Sequence, residues 1–313
     1  MELASYKKKG RLNNKHLLTL RDYSVGEIYE ILSCALRLKF LQKKGKKHEY
    51  LKGKTLAMIF EKSSTRTRVS FEQGIRQLGG SPMFLSSADI QLGRNETVHD
   101  TVQVLNRYDI DGIMMRTFEQ SKLDELARYG NMPVINGLSD DFHPCQVLAD
   151  LMTVYEAYGR FGGVKLSYFG DGGNVANSLM IGGAKVGLDV CVCGPAEYAP
   201  KPEIVAEARK FGKVTVTDDL DEAARDCDVL YSDVFFSMGQ KPDQKKEKAL
   251  MPYQVNAGLM AKTNPDSVFM HCLPAHRGEE VTTEVIDGPR SIVFEEAENR
   301  LHVQKAVMYL LMK

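Results

Sequence analysis

The chain has no surplus of either charge. Its 313 residues carry 41 Lys and Arg against 41 Asp and Glu, and no long block of one sign appears beyond the basic opening and the Lys43–Lys47 run. That balance argues against a nucleic-acid or membrane surface and for small-molecule partners. No window approaches eighteen consecutive apolar residues, and the opening MELASYKKKGRLNNKH has no apolar signal core, so a soluble, cytoplasmic protein is expected. The six cysteines, at 34, 145, 191, 193, 227 and 272, form no C-x-x-C pair and meet no histidine at finger spacing. A disulfide framework or a structural zinc site is therefore not expected. The glycine-rich Gly-Lys-Ser/Thr loop of nucleotide hydrolases is missing as well. The turn GDGGN at 170–174 has Val175 where a dinucleotide fingerprint needs its third glycine. Neither a metal nor an organic cofactor is expected.

What the sequence does contain is FEKSSTRTRVSFE, residues 60–72. The run 54–60 is short, apolar and bounded by Gly53, which predicts a buried strand. Val69, Phe71, Ile75 and Leu78 then recur at helical spacing until Gly79-Gly80. Two serines, two threonines and two arginines thus crowd a strand-to-helix turn. A helix start presents unpaired N–H groups and partial positive charge, and the fork of arginine suits phosphate. A lone S-T-R would read as an N-cap with solvated arginines. Six such residues in a row favour a phosphate cradle.

The length favours two domains. Short apolar runs alternate with amphipathic ones: LAMIF, MFL, GIMM and PVIN in the first part, then KLSYFG, DVCVC, KVTVT, DVLYSD, SVFMHC and SIVF. Read as strands, they predict an α/β fold of two domains, each with a central parallel sheet flanked by helices, joined by long helices such as 143–158. The amphipathic end of the chain is expected to pack back on the first domain. Ligands of open α/β sheets bind beyond the carboxyl ends of strands, and those ends are expected to face one cleft.

Several single residues stand out at those ends. Arg116 closes an apolar strand, where it serves as a structural ion-pair partner or as a second clamp on the anion of Arg66. His143, with Gln146 one turn on, is a helix cap or an imidazole that polarises a carbonyl oxygen. Cys272 ends FMHCLP, either as an inert core thiol or as a cleft residue. Asp233, before Ser237-Met238-Gly239, is a turn aspartate or a carboxylate for an ammonium group.

Taken together, SSTRTR, MRT, HPCQ, GDGGNVANS, DVFFSMGQ, HCLPAHRGEEV and FEEAENR resemble the ornithine carbamoyltransferase family over nearly the whole chain. The resemblance implies transfer of a carbamoyl group from carbamoyl phosphate to the δ-amine of L-ornithine. It implies that Ser64, Thr65, Arg66 and Thr67 hold phosphate, with Arg116 bridging phosphate and carbonyl oxygens. His143, Gln146, the Cys272-Leu273 backbone and Arg300 would hold the carbamoyl end, and Asn174, Asp233, Ser237 and Met238 the ornithine. Arg66, Arg116, His143, Asp233 and Cys272 are the expected catalytic set. Residues 1–142, with the helix at about 298–313, would form the carbamoyl phosphate-binding domain and 143–297 the ornithine-binding domain. The resemblance further implies a homotrimer in which Gln91 reaches a neighbour's site. Two positions depart from the usual pattern: Arg94 stands where many relatives have histidine, and Thr117 follows Arg116 where glycine is usual. Competing readings are a putrescine carbamoyltransferase, disfavoured by DVFFSMG, and a silent relative that binds the same ligands without turnover.

Overall fold

The computed structural model describes residues 2–94, 96–236 and 243–313. The chain divides into two compact units, one comprising Met1–Ala149 with Asn299–Lys313 and the other Asp150–Glu298.

The first unit is built on a four-stranded parallel sheet of β1 (Thr55–Phe60), β2 (Ser81–Ser86), β3 (Gly112–Arg116) and β4 (Val134–Leu138), in the order β2-β1-β3-β4. Central β1 and β3 are buried along their length, as continuous apolar runs require when helices cover both faces. Edge strand β2 is far more exposed and carries Pro82, a residue that sheet edges tolerate. The helices are α1 (Val25–Lys43), α2 (Thr65–Gln77), α3 (Val98–Arg107) and α4 (Gln120–Tyr129). The core beneath α3 and α4 gathers Ile59, Val102, Ile113, Met115, Leu123 and Val134. Helix α1, which the apolar runs above do not reveal, opens on a capping box. Ser24 accepts from the Glu27 backbone, and the Glu27 side chain accepts from that of Ser24.

Helix α5 (Pro144–Tyr158) starts in the first unit and runs into the second. The second unit has a five-stranded parallel sheet of β5 (Lys165–Phe169), β6 (Asp189–Cys193), β7 (Val214–Thr217), β8 (Val229–Ser232) and β9 (Val268–His271), in the order β7-β6-β5-β8-β9. Its helices are α6 (Asn174–Val186), α7 (Pro202–Ala208), α8 (Leu220–Ala224), α9 (Gln244–Leu250), α10 (Ala257–Met260) and α11 (Thr283–Ile286). Helix α12 (Val293–Met312) returns to the first unit from Asn299 onward. Cys191 and Cys193 are buried free thiols on β6, as their apolar run predicts. Among the described residues no helix is long and apolar enough to cross a membrane.

One expected strand is absent. Ser291 in SIVF makes only an isolated bridge to Phe269 of β9, and Ile292 already accepts the first helical bond from the Glu296 backbone. The apolar run is the start of α12, so the second sheet has five strands rather than six.

Both sheets reverse their strand order at one point, between β1 and β3 in the first and between β5 and β8 in the second. Such switch points leave crevices beyond the strand ends. The residues that follow those four strands are the chemically unusual ones.

Candidate active site

In the first unit the switch point is formed by the end of β1, which leads into α2, and by Arg116 at the end of β3. Ser64 is the N-cap of α2, its hydroxyl accepting from the Thr67 backbone at 3.2 Å. The turn is therefore both a capped helix start and a cluster of hydroxyls and guanidinium groups. Thr65 is exposed, Ser64 and Arg66 are half-buried and Thr67 is buried. The apolar neighbours Phe71 and Ile75 bury the inner face of α2, and Gly74 admits α12. A Cβ there would lie 2.9 Å from Met308 and 3.2 Å from Lys305.

That close approach brings Arg300 of α12 to the start of α2. Its Nη2 donates to Thr67 Oγ1 at 3.2 Å, and its Nη1 donates to Gln146 Oε1. Gln146 sits one turn into α5, its backbone bonded to the His143 carbonyl at 3.1 Å. His143, Gln146, Arg116 and Arg300 are all buried. Burial holds the His143 imidazole well below its ordinary pKa, and the charges of Arg300, Arg116 and Arg66 push it further down. The result is a neutral imidazole among three guanidinium groups. Such a set accommodates an anion of charge two or more and can donate to an oxygen on which negative charge grows.

In the second unit β5 ends in the turn Gly170–Gly173. Gly172 has no room for a side chain, because a Cβ would sit 2.2 Å from the Pro200 nitrogen. The glycines thus serve close packing, and Asn174 opens α6 nearly buried. Across the switch point Asp233 follows β8. Its Oδ1 accepts from the Val234 backbone at 2.8 Å and from the Cys272 thiol at 3.0 Å. Burial and the neighbouring Asp233 carboxylate raise the Cys272 thiol well above its usual range, so the sulfur is protonated and donates. Leu273 has φ of 57° and its peptide to Pro274 is cis. Its N–H donates to His271 Nδ1 at 2.8 Å, which leaves the ring hydrogen on Nε2, facing Glu280 Oε1 at 3.1 Å. Asp233, His271 and Cys272 bring metal-ligating atoms within 4.8 Å of one another, yet both His271 nitrogens are committed to these bonds.

The structure therefore joins Arg66, Thr67, Arg116, His143, Gln146 and Arg300 in one unit, and Asp233 with Cys272 in the other. Gln91 lies exposed in a 3₁₀ turn, Gln91–Gly93, whose neighbour Arg94 donates to the Ala88 carbonyl at 3.1 Å. Ser237 and Met238 lie outside the described residues. Glu296 was not singled out from the sequence. It accepts from the His271 backbone at 2.8 Å and from the Tyr231 hydroxyl at 3.2 Å, fixing the strand that delivers Cys272. Burial and nearby Asp150 raise its carboxyl well above the usual range. Its sequence signal was the FEEAENR motif, from which only Arg300 was drawn.

Two parallel sheets with switch points, one followed by a capped helix start beside buried guanidinium groups and an imidazole, the other by a carboxylate–thiol pair, define an α/β protein of the class whose sites lie beyond its strand ends. Residues 15–156 match the carbamoyl-P binding domain of aspartate/ornithine carbamoyltransferases, and residues 162–311 match the Asp/Orn binding domain. The chain belongs to the aspartate/ornithine carbamoyltransferase family. It is 55% identical over 303 residues to the ornithine carbamoyltransferase of Bacillus subtilis (strain 168), covering 95% of this chain and 93% of that one. The solved ornithine carbamoyltransferase of Pyrococcus furiosus superposes with a TM-score of 0.92 at 50% identity, over 97% of each chain. The anabolic enzyme of Campylobacter jejuni superposes at 0.88 with 41% identity, over 95% of this chain and 99% of that one.

Proposed function

We propose that the chain transfers the carbamoyl group of carbamoyl phosphate to the δ-amine of L-ornithine, giving L-citrulline and phosphate. The observation that carries this reading is the burial of His143, Arg116 and Arg300 together, with Arg300 bonded to Gln146 and to Thr67 at the capped start of α2. The start of α2 with Ser64, Thr65, Arg66 and Thr67 holds the phosphate. Arg116 spans phosphate and carbonyl oxygens, and His143, Gln146, Arg300 and the Cys272-Leu273 backbone orient the carbamoyl end. Residues 1–142 with the closing helix form the carbamoyl phosphate-binding domain, and 143–297 the ornithine-binding domain. Asn174, Asp233, Ser237 and Met238 hold the amino-acid end of ornithine.

The chemistry follows from those roles. The δ-ammonium, with an unperturbed pKa of about 10 like lysine, must lose a proton before it can attack. The free amine then bonds to the carbonyl carbon, and negative charge moves onto the carbonyl oxygen. Arg116 and the imidazole N–H of His143 donate to that oxygen. The C–O bond to phosphate breaks as the carbonyl re-forms, and the second amine proton leaves with phosphate or solvent. Cys272 is already protonated, so Asp233 rather than the thiolate is the acceptor on that side.

A homotrimer in the cytoplasm completes the proposal. Edge strand β2 and α2 expose Met83, Phe84 and Val69, an apolar surface that a second copy would cover, and Gln91 lies exposed nearby in sequence. The test is citrulline formation by the purified protein, with ornithine and putrescine compared as acceptors. Strong preference for ornithine is expected. Product from putrescine alone would overturn the acceptor assignment, and no product from either would favour a silent binding relative. Sedimentation velocity reads the trimer directly.

A further inference from the structure

Neither Glu61 nor Thr117 belongs to the ligand-holding set above, yet Thr117 directly follows Arg116 and Glu61 opens the short turn that leads from β1 to Ser64. Phe60 and Arg116 pair in the register of β1 and β3, and the Glu61 backbone donates to the Arg116 carbonyl at 2.9 Å. Beyond that bond the two chains part, one into the phosphate turn and the other towards α4. Their side chains reconnect them. Glu61 Oε2 accepts from the Thr117 hydroxyl, and Glu61 Oε1 accepts from Lys122 Nζ at 2.8 Å. The Glu61 side chain is 9% exposed and Thr117 is fully buried. The next residue repeats the pattern, because Lys62 pairs with Asp140 after β4 and lies 4.3 Å from the centre of the Phe118 ring. The Thr117 and Asp140 backbones are themselves tied, to the Leu138 and Phe118 carbonyls, both at 2.9 Å.

Glu61 and Lys62 stand directly before the Ser63–Thr67 cradle, while Thr117 and Phe118 stand directly after Arg116. We infer that the Thr117–Glu61–Lys122 bridge is a positioning device that fixes the separation between the phosphate turn and the Arg116 guanidinium. It acts through the two strand ends and touches no ligand. The inference rests on the carbamoyl phosphate reading of this half-site and adds to it a pair of positioning residues, with Thr117 as the member that departs from the usual glycine. Misplacing two clamps on one anion by an ångström is enough to weaken their joint hold severely.

The test uses the full-length protein and two readouts. Calorimetry with inorganic phosphate reads the anion site, and steady-state kinetics read KM for carbamoyl phosphate and for ornithine separately. Thr117→Val keeps the shape and removes the hydroxyl, so it should weaken phosphate and raise the carbamoyl phosphate KM roughly fivefold, the worth of one hydrogen bond. Glu61→Ala should cost roughly tenfold or more, and Glu61→Gln, which keeps an acceptor for Thr117, should recover most of that loss. The ornithine KM stays unchanged in all three. A melting temperature that falls while both phosphate readouts keep their wild-type values would make the bridge structural only and overturn the inference. Should Glu61→Ala fail to fold, the near-isosteric Thr117→Val decides alone. Wild-type protein that neither binds phosphate nor forms citrulline would instead sink the functional reading beneath it.

Discussion

The thiol of Cys272 donates to Asp233 Oδ1 across 3.0 Å, joining the residues that follow β9 and β8. The bond makes the pair directional: the carboxylate stays an acceptor and the sulfur is occupied as a donor. If Asp233 holds the ammonium group of ornithine as proposed, Asp233→Asn should remove that charge while keeping the shape of the side chain. An ornithine KM raised roughly tenfold or more, with phosphate binding retained, is expected in steady-state and calorimetric measurements. Cys272→Ser keeps a donor and should lower turnover more mildly. Loss of phosphate binding in either variant would place the pair in the phosphate half.

The opening cluster gives the second prediction. Arg66 is half-buried on a helix whose apolar face, Phe71 and Ile75, carries its packing, so Arg66→Ala removes little that folds the protein. It should reduce kcat/KM for carbamoyl phosphate by roughly 10²- to 10³-fold, in line with loss of one charge-stabilising donor. Circular dichroism and melting should stay close to wild type. An unfolded variant would show that the cluster is structural.

These residues also show why some of the molecule was legible in one dimension and some was not. The strand-to-helix turn at 60–72 was legible because its strand, its hydroxyls and guanidinium groups, and its helix are contiguous, and β1, the Ser64 cap and α2 follow in that order. Arg116 and Cys272 stood out only as the ends of apolar runs, each with a structural alternative, and it was the family resemblance that gave them roles. Thr117 and Glu61 were not paired from the sequence, since their contact depends on β3 lying beside β1 rather than β2. Glu296 was hidden for a similar reason, 25 residues from the His271 backbone it holds. The SIVF run misled because four apolar-rich residues fit a strand and a buried helix start equally well, and periodicity cannot separate them at that length.

The neutral state of His143 makes a prediction about pH. Burial and the charges of Arg300, Arg116 and Arg66 hold its pKa well below the ordinary histidine range, which favours the uncharged imidazole near neutral pH. Turnover should nonetheless rise from pH 6 towards 9, because the free-base fraction of the ornithine amine grows. His143→Gln should lower kcat by roughly 10²-fold or more and leave the shape of that rise unchanged. A His143 variant that lost a titration step between pH 6 and 7 would mean the imidazole works in its charged form.

Lys305 is fully buried on α12, and among the described residues its hydrogen-bond partners are Gln42 at 2.6 Å, Gln77 at 2.8 Å and His48 at 3.2 Å, none of them a carboxylate. Burial lowers its pKa from 10.5 to about 8. In the unfolded chain the amine stays protonated up to about 10.4. Between those values the unfolded state binds more protons, so folding stability contributed by this residue rises with pH across the window. Below pH 8 the folded protein bears the whole penalty of a desolvated ammonium. Lys305→Met removes the titration along with three hydrogen bonds. The stability of wild type minus that of the variant, from urea unfolding, should grow more favourable to wild type between pH 8 and 10, by at most about 3 kcal/mol at 1.36 kcal/mol per pH unit. A difference that stays flat across that window would show that the buried amine is not held down, and that its three acceptors stabilise the charge as well as water does.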